Sequence, residues 1–320
     1  MGVRAMKALI TGITGFVGPF LARCLTDAGH TIVGTSLSAE MRAGRPGEPF
    51  DLNSVPVLAW DVSLPPSTEV ESRMTAFAPE VIVHLAAMSI PADCGDSEPT
   101  EQAWRANVIG TQRVLELIER LPQRPRLLFV STSQVYAAVT REHAIVNESA
   151  PLGPTSGSAK AKLAAEQRIG EAVKSRQIDA VIVRPFKHTG PGQSSRMMVP
   201  EWASQFARGA EPVLIRCRDS YVDLCDVRDV VRAYCLLAES RQCGAIYNVG
   251  SGVARRAGDI FDELHAMADP KRAVHETSPQ VRFEPIADYS RIRDDVGWTP
   301  RVPLRQTLLD TLNYWRDSAK

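Results

Sequence analysis

Three glycines in the segment ITGITGFVG (Gly12, Gly15 and Gly18) fall directly after an apolar run and before FVGPFLARCLTDAG, which has helical periodicity. Glycines at a strand-to-helix junction permit a tight turn and let the backbone approach a diphosphate, which then meets the positive end of the helix. Phe16 and Val17 complete that loop. The motif is short, and its place between a strand and a helix gives it meaning. A second strand in such a site ordinarily ends on an acid that holds a ribose hydroxyl, about 20 residues on. Here it ends GTSLS, with no Asp, Glu or adjacent Arg, so NAD and NADP both stay open. Arg42 and Arg45 in the following loop are the cations that a 2′-phosphate would meet, and each also reads as a solvated arginine. Asp61-Val62 after the third strand offers a carboxylate to an adenine amino group. Leu85, Ala86 and Ala87 after the fourth are small enough for a dinucleotide to lie across. Strand-end packing explains each of these alone; their order along the chain ties them together.

Such groups need a scaffold that brings strand ends to one edge. KALIT at 7–11, TIVGTS at 31–36, VPVLAW at 55–60, EVIVHLA at 80–86, RLLFVST at 126–132 and AVIVRP at 180–185 are apolar runs. Their continuous Val/Ile/Leu character is that of strands buried on both faces of a parallel sheet. Helical periods lie between them near 16–29, 66–78, 99–121 and 158–176. The alternation predicts an α/β fold, a Rossmann-type doubly wound parallel sheet over residues 1–185. After residue 186 the order is less regular. VPEWASQFARG, VRDVVRAYCLLAES and LRQTLLDTLNYWRDSAK read as helices, and AIYNVGSG as a strand ending in glycines. Residues 186–320 are expected to form a smaller C-terminal α/β lobe that binds substrate, with elements crossing back to the sheet.

Lys+Arg and Asp+Glu are equal at 37 each, which gives no case for nucleic acid or an anionic membrane as partner. The cysteines, at 24, 94, 217, 225, 235 and 243, form no C-x-x-C pair and no cluster with histidines. No metal site is expected, and the thiols look scattered, as in a cytosolic protein that keeps them reduced. MGVRAMKALITG runs straight into a strand, without a signal-peptide core or a membrane-spanning apolar stretch. A soluble cytoplasmic protein is the expectation.

The chain resembles the extended short-chain dehydrogenase/reductase family of nucleotide-sugar epimerases, dehydratases and 4-ketoreductases. The resemblance rests on TGITGFVG, HLAA, NVIGT at 107–111, STSQVY at 131–136, KLAAE at 162–166, RPFKHTGPGQ at 184–193, DVRDVVRAY at 226–234, YNVGSG at 247–252 and GWTP at 297–300. The wording of RPF-H-GPGQ and YNV-SG most resembles GDP-4-keto-6-deoxymannose reductases and GDP-mannose 4,6-dehydratases. The resemblance implies NAD or NADP as cofactor, a nucleotide sugar or related anionic carbohydrate as substrate, and a Ser/Thr, Tyr, Lys triad. By position, Thr132 bonds the substrate oxygen, and Lys162 holds the nicotinamide ribose and lowers the tyrosine's pKa. Pro185 and Phe186 line the nicotinamide pocket in the same scheme. The tyrosine's place, one helical turn before Lys162, is held by Ser158.

A phenol of pKa about 10 is tuned towards neutrality by a nearby ammonium; a serine hydroxyl is far less acidic and shorter. A bridging water restores contact but not a tuned acid. The loss is roughly 10²–10⁴-fold in rate unless another group takes over. Gly157 stands for the usual proline and Ala161 for a serine, so the segment is remodelled as a whole. Lys160, Tyr136 and Gln134 are the candidate substitutes. Of these, Tyr136 reads first as a packing residue, Lys160 as solvent-facing, and Gln134 as an amide where dehydratases carry a glutamate. On the substrate side, Lys187 replaces an asparagine, and its positive charge points to an anionic ligand. Val222 replaces the arginine that grips the diphosphate, which leaves Arg216, Arg218 and Arg282 as phosphate contacts, each also readable as surface charge.

Two readings follow: an NAD(P)-dependent oxidoreductase or epimerase-type enzyme with an atypical proton-transfer site, or a catalytically silent dinucleotide-binding protein. The family's intermolecular four-helix bundle implies a homodimer through helices 99–121 and 158–176. The apolar positions of the first (Trp104, Val108, Val114, Leu115, Leu117, Ile118) and of the second (Leu163, Ala164, Ile169, Val173) exceed what one sheet face needs. Packing within one chain is the alternative.

Overall fold

The computed structural model describes residues 4–38, 49–175, 178–240 and 242–319, so Arg42 and Arg45 lie outside the described residues. Seven strands form the central sheet: β1 (Lys7–Thr11), β2 (Thr31–Ser36), β3 (Val57–Ala59), β4 (Val81–His84), β5 (Arg126–Val130), β6 (Ala180–Pro185) and β7 (Ile246–Val249). Their order is β7-β6-β5-β4-β1-β2-β3, with every pairing parallel. The six expected runs are all strands, and the glycine-ended run near 246 supplies the seventh.

Helices cover both faces, as a parallel sheet requires. The Gly18–Asp27 and Val227–Glu239 helices pack on one side through Leu21, Leu25, Val230 and Tyr234. The Thr68–Phe77, Gly110–Arg120 and Gly157–Lys174 helices pack on the other through Val70, Met74, Leu117 and Ile169. Short polar side chains start these helices by taking an otherwise orphaned N–H. Ser67 accepts from Val70 N, and Ser156 accepts from Ala159 N at 3.3 Å. The rod expected at 99–121 carries a π turn, Arg105–Ile109, between the helices Glu101–Trp104 and Gly110–Arg120.

The apolar surplus expected on these helices is mostly absent. Val108, Val114, Leu115, Leu117, Ile118 and Ile169 are buried within the chain itself. Trp104 stays 37% exposed, while Leu163, Ala164 and Val173 are half-buried.

Past β6, the strand Lys187–Thr189 runs parallel to Tyr221–Asp226, which is antiparallel to Ala254–Arg256. A separate apolar core of Trp202, Phe206, Phe261, Leu308 and Leu312 fills this region. Buried Asp223 ties it to the sheet by accepting from the Ser251 N–H and hydroxyl and from Gly252 N and Ala287 N. Two distant motifs also meet: the Trp298 indole donates to Asp229 O at 2.9 Å, and the Asp229 carboxylate accepts from Arg301 N and Val302 N.

Candidate functional site

The glycine loop, Leu85, Ala86 and Ala87, Thr132 and Pro185-Phe186 lie at the carboxyl ends of β1, β4, β5 and β6, around the reversal of strand order between β1 and β4, whereas Asp61-Val62 follow β3 and Arg216 and Arg282 lie outside the central sheet. In open α/β sheets that crevice is where ligands bind. Thr11 closes β1: its hydroxyl accepts from Ala86 N at 3.2 Å and is hydrogen-bonded to His84 Nδ1 at 2.7 Å. His84 Nε2 in turn lies 3.3 Å from the Thr111 hydroxyl. Burial, with the charge of Lys162 adding to it, holds His84 down to about 3, so the ring is neutral at ordinary pH.

The glycine loop is built to lie against β4. Gly12 has φ +70°, and a Cβ there would sit 2.8 Å from both Ala86 N and Ala86 Cα. Gly15 N donates back to Gly12 O at 3.0 Å. No side chain caps the Gly18–Asp27 helix, which leaves its first N–H groups for an anion. Phe16 stacks on His188 at 6.1 Å between ring centroids, coupling the loop to the strand after β6. Leu85, Ala86 and Ala87 are half-buried along the crevice floor. Asp61 is exposed and accepts from Ser63 N at 2.9 Å, with Val62 buried beside it. Asn107 clamps the floor from the π turn, bonding both Met88 N (2.8 Å) and Met88 O (3.0 Å). These features fit a dinucleotide: an open helix end, a close backbone approach and small floor residues.

Lys162 donates to Val130 O at 2.7 Å and lies 4.9 Å over the Phe129 ring. Burial pulls its ammonium down to about 8, against the opposing pull of Glu166. Glu166 is itself locked: it accepts from Arg184 Nε (3.0 Å) and Nη2 (2.6 Å) and from the Ser131 hydroxyl. Thr132 starts the Ser133–Val135 turn, its hydroxyl accepting from Gln134 N at 3.2 Å. The Gly157–Lys174 helix packs on that turn and carries Ser158, half-buried, in its first turn.

Behind Ser158 stands a residue that the sequence did not single out for chemistry. The fully buried Cys94 thiol donates to Met88 O at 3.4 Å, and the Ser158 hydroxyl lies near enough to act on its ionisation. Burial pushes this thiol up, and the Ser158 contact and the charge of Lys162 pull it back. Gly157 makes the approach feasible. Its N–H donates to Gly95 O at 3.1 Å, and a Cβ would come within 2.5 Å of Cys94 O. The departure at 157 and the proximity of Cys94 are therefore one structural fact.

The substitutes considered from sequence do not reach this position. Tyr136 is 4% exposed, donates to Asn248 Oδ1 at 2.7 Å and accepts from Arg184 at 3.2 Å, so it is a packing residue. Lys160 pairs with Glu98, and Gln134 is exposed. Lys187 pairs with Glu284, so the bare charge expected there is already compensated. Pro185 is buried, and Phe186 is 2% exposed with its ring against that of Tyr136. Val222 belongs to the second apolar core, and Arg218 pairs with Asp262. Arg216 and Arg282 stay exposed, the latter with Gln280 at 3.4 Å.

Residues 8–250 match the model of the NAD dependent epimerase/dehydratase family. GDP-6-deoxy-D-mannose reductase of Pseudomonas aeruginosa is 27% identical over 328 residues, 98% of each chain. dTDP-6-deoxy-L-talose 4-dehydrogenase (NAD(P)(+)) of Kitasatospora kifunensis is 25% identical over 94% of this chain and 93% of its own. Among solved structures, RMD from Pseudomonas aeruginosa complexed with NADPH superposes with a TM-score of 0.82 at 24% identity, covering 98% of this chain and 100% of that one.

Proposed function

The chain belongs to the NAD dependent epimerase/dehydratase family, and on that premise we propose that it is an NAD(P)-dependent oxidoreductase or epimerase-type enzyme acting on a nucleotide sugar through an altered proton-transfer site. The observation that carries this is the intact cradle, Gly12 on Ala86 below an uncapped helix end, beside a Ser158 backed by Cys94. Residues 1–185 serve mainly the dinucleotide and residues 186–320 the substrate. The names of the relatives make 4-keto-sugar reduction with NADPH the first reaction to assay.

A bound nicotinamide supplies or takes the hydride. The Thr132 and Ser158 hydroxyls hold the substrate oxygen. Lys162 spends one N–H on Val130 O, leaving two for ribose hydroxyls. In reduction, Ser158 gives its proton to the carbonyl oxygen; the Cys94 thiol resupplies it once its S–H turns from Met88 O towards Ser158, leaving a thiolate within the field of Lys162. Burial raises the Cys94 thiol above its ordinary value, yet a thiol still ionises far more readily than an alcohol, so Cys94 supplies the titratable group that serine lacks. Exposed Arg216 and Arg282 meet the phosphates, while Lys187 needs Glu284 to let go first.

We propose a cytoplasmic location for the enzyme; no helix among the described residues is long and apolar enough to cross a membrane. We also propose a homodimer, with Trp104 as its exposed contact.

The test is loss of nicotinamide absorbance on mixing NADPH with GDP-, dTDP- and UDP-linked 4-keto sugars. Slow but saturable turnover is expected, at least 10-fold slower still in Ser158→Ala. Tight NADPH binding with no turnover of any of them sinks the enzymatic reading and favours a silent dinucleotide-binding protein.

A further inference from the structure

The cysteines are not all scattered. Cys24, on the helix that follows the glycine loop, and Cys235, on the Val227–Glu239 helix, lie 211 positions apart in sequence. The two helices pack face to face, and the two Sγ atoms stand 2.7 Å apart, with Cys235 donating to Cys24. The pair is asymmetric. Cys235 is 5% exposed, whereas Cys24 is only partly covered and within reach of solvent.

We infer that Cys24 and Cys235 form a peroxide-sensitive dithiol, which closes to an intramolecular disulfide and ties the helix of the glycine loop to the Val227–Glu239 helix. The chemistry has two balanced steps. The Cys24 thiolate attacks a hydroperoxide oxygen, forming an S–O bond and expelling alkoxide or hydroxide, which takes up the thiol's proton; Cys24 becomes a sulfenic acid. The Cys235 sulfur then displaces water from that sulfenic acid, forming the S–S bond and losing its own proton. Two thiols and one hydroperoxide thus yield one disulfide, one water and one alcohol (or a second water).

The surroundings favour Cys24 as the attacking sulfur. The Cys235 hydrogen bond holds its thiol below the ordinary value, and Arg232 assists, against burial and the carboxylates of Glu239 and Asp27. The same contact pushes Cys235 up, so it stays a thiol until Cys24 has reacted. His30 binds Glu239 at 2.8 Å, which fixes the nearest carboxylate beside the pair. Nucleophilicity follows thiolate content and access, and Cys24 has the advantage in both.

The experiment treats the folded, reduced chain with hydrogen peroxide, then denatures, alkylates and weighs it. Against the reduced and alkylated chain, the expected result is two alkyl labels fewer together with the loss of two mass units for the two thiol hydrogens, reversed by dithiothreitol, with a Cys24–Cys235 cross-linked peptide. In Cys24→Ser the two-unit loss should disappear; in Cys235→Ser it should be replaced by a gain of oxygen on Cys24. Retained NADPH binding and helix signal show that the variants fold, and Cys24→Ala is the second choice. Complete alkylation of both residues after peroxide, or a two-unit loss that survives in Cys24→Ser, overturns the inference.

Discussion

At the residue scale, proton transfer in the proposed reaction turns on what lies behind Ser158. If Cys94 feeds the proton, Cys94→Ala lowers kcat about 10-fold or more while the NADPH dissociation constant stays put. Measured in the oxidative direction, the wild-type rate rises as the thiol ionises, above its ordinary value of 9.0 because burial opposes the charge. Cys94→Ser keeps a hydroxyl in place yet loses that basic limb, a change that mere packing damage does not produce. Lys162 gives a second pH signature. Its pKa falls from 10.5 to about 8 through burial, so in that window the unfolded chain binds a proton that the folded chain lacks. Stability therefore rises with pH between those values, by on the order of 3 kcal/mol in all, and Lys162→Met removes the slope in denaturant titrations. Cofactor affinity moves the other way, weakening as pH passes 8 and the ammonium discharges.

At the element scale, the strands and the glycine loop were legible because their signals are local: an apolar run makes a buried strand, and Gly12 marks a turn. The contacts that decide chemistry were not. Nothing in SIPADCGDSEP announces that Cys94 meets Ser158, because the meeting depends on how closely the Gly157–Lys174 helix approaches that segment. Lys187 misled for a related reason, since its partner Glu284 comes from a distant part of the chain. The loop itself yields a sharp expectation. Gly12→Ala forces a Cβ within 2.8 Å of the Ala86 backbone at φ +70° and is expected to cost about 1–3 kcal/mol. Thermal unfolding should show that loss, and NADPH titration a drop in affinity of roughly 10-fold or more.

At the scale of the whole molecule, the doubly wound sheet followed from strand–helix alternation, while the supposed surplus of apolar helix surface did not survive. Sequence counts apolar residues but not how many sheet rows they cover, and Leu115, Leu117 and Ile118 are consumed within the chain. The proposed homodimer therefore rests on Trp104, and if it forms, Trp104→Glu should shift the sedimentation profile towards monomer. Acid stability belongs to this scale too. His84 falls from 6.5 to about 3 by burial, so the unfolded chain alone takes up its proton in that interval. Stability should decline as pH drops from 6.5 towards 3, and His84→Gln should flatten that decline in pH-dependent urea unfolding. The central claim, that the dinucleotide cradle works, is tested most directly by titrating NADPH and NAD⁺ into purified chain by calorimetry, with Gly12→Val as control. Saturable one-to-one binding of at least one of them, lost in Gly12→Val, is the predicted result; no binding of either at millimolar concentration contradicts it.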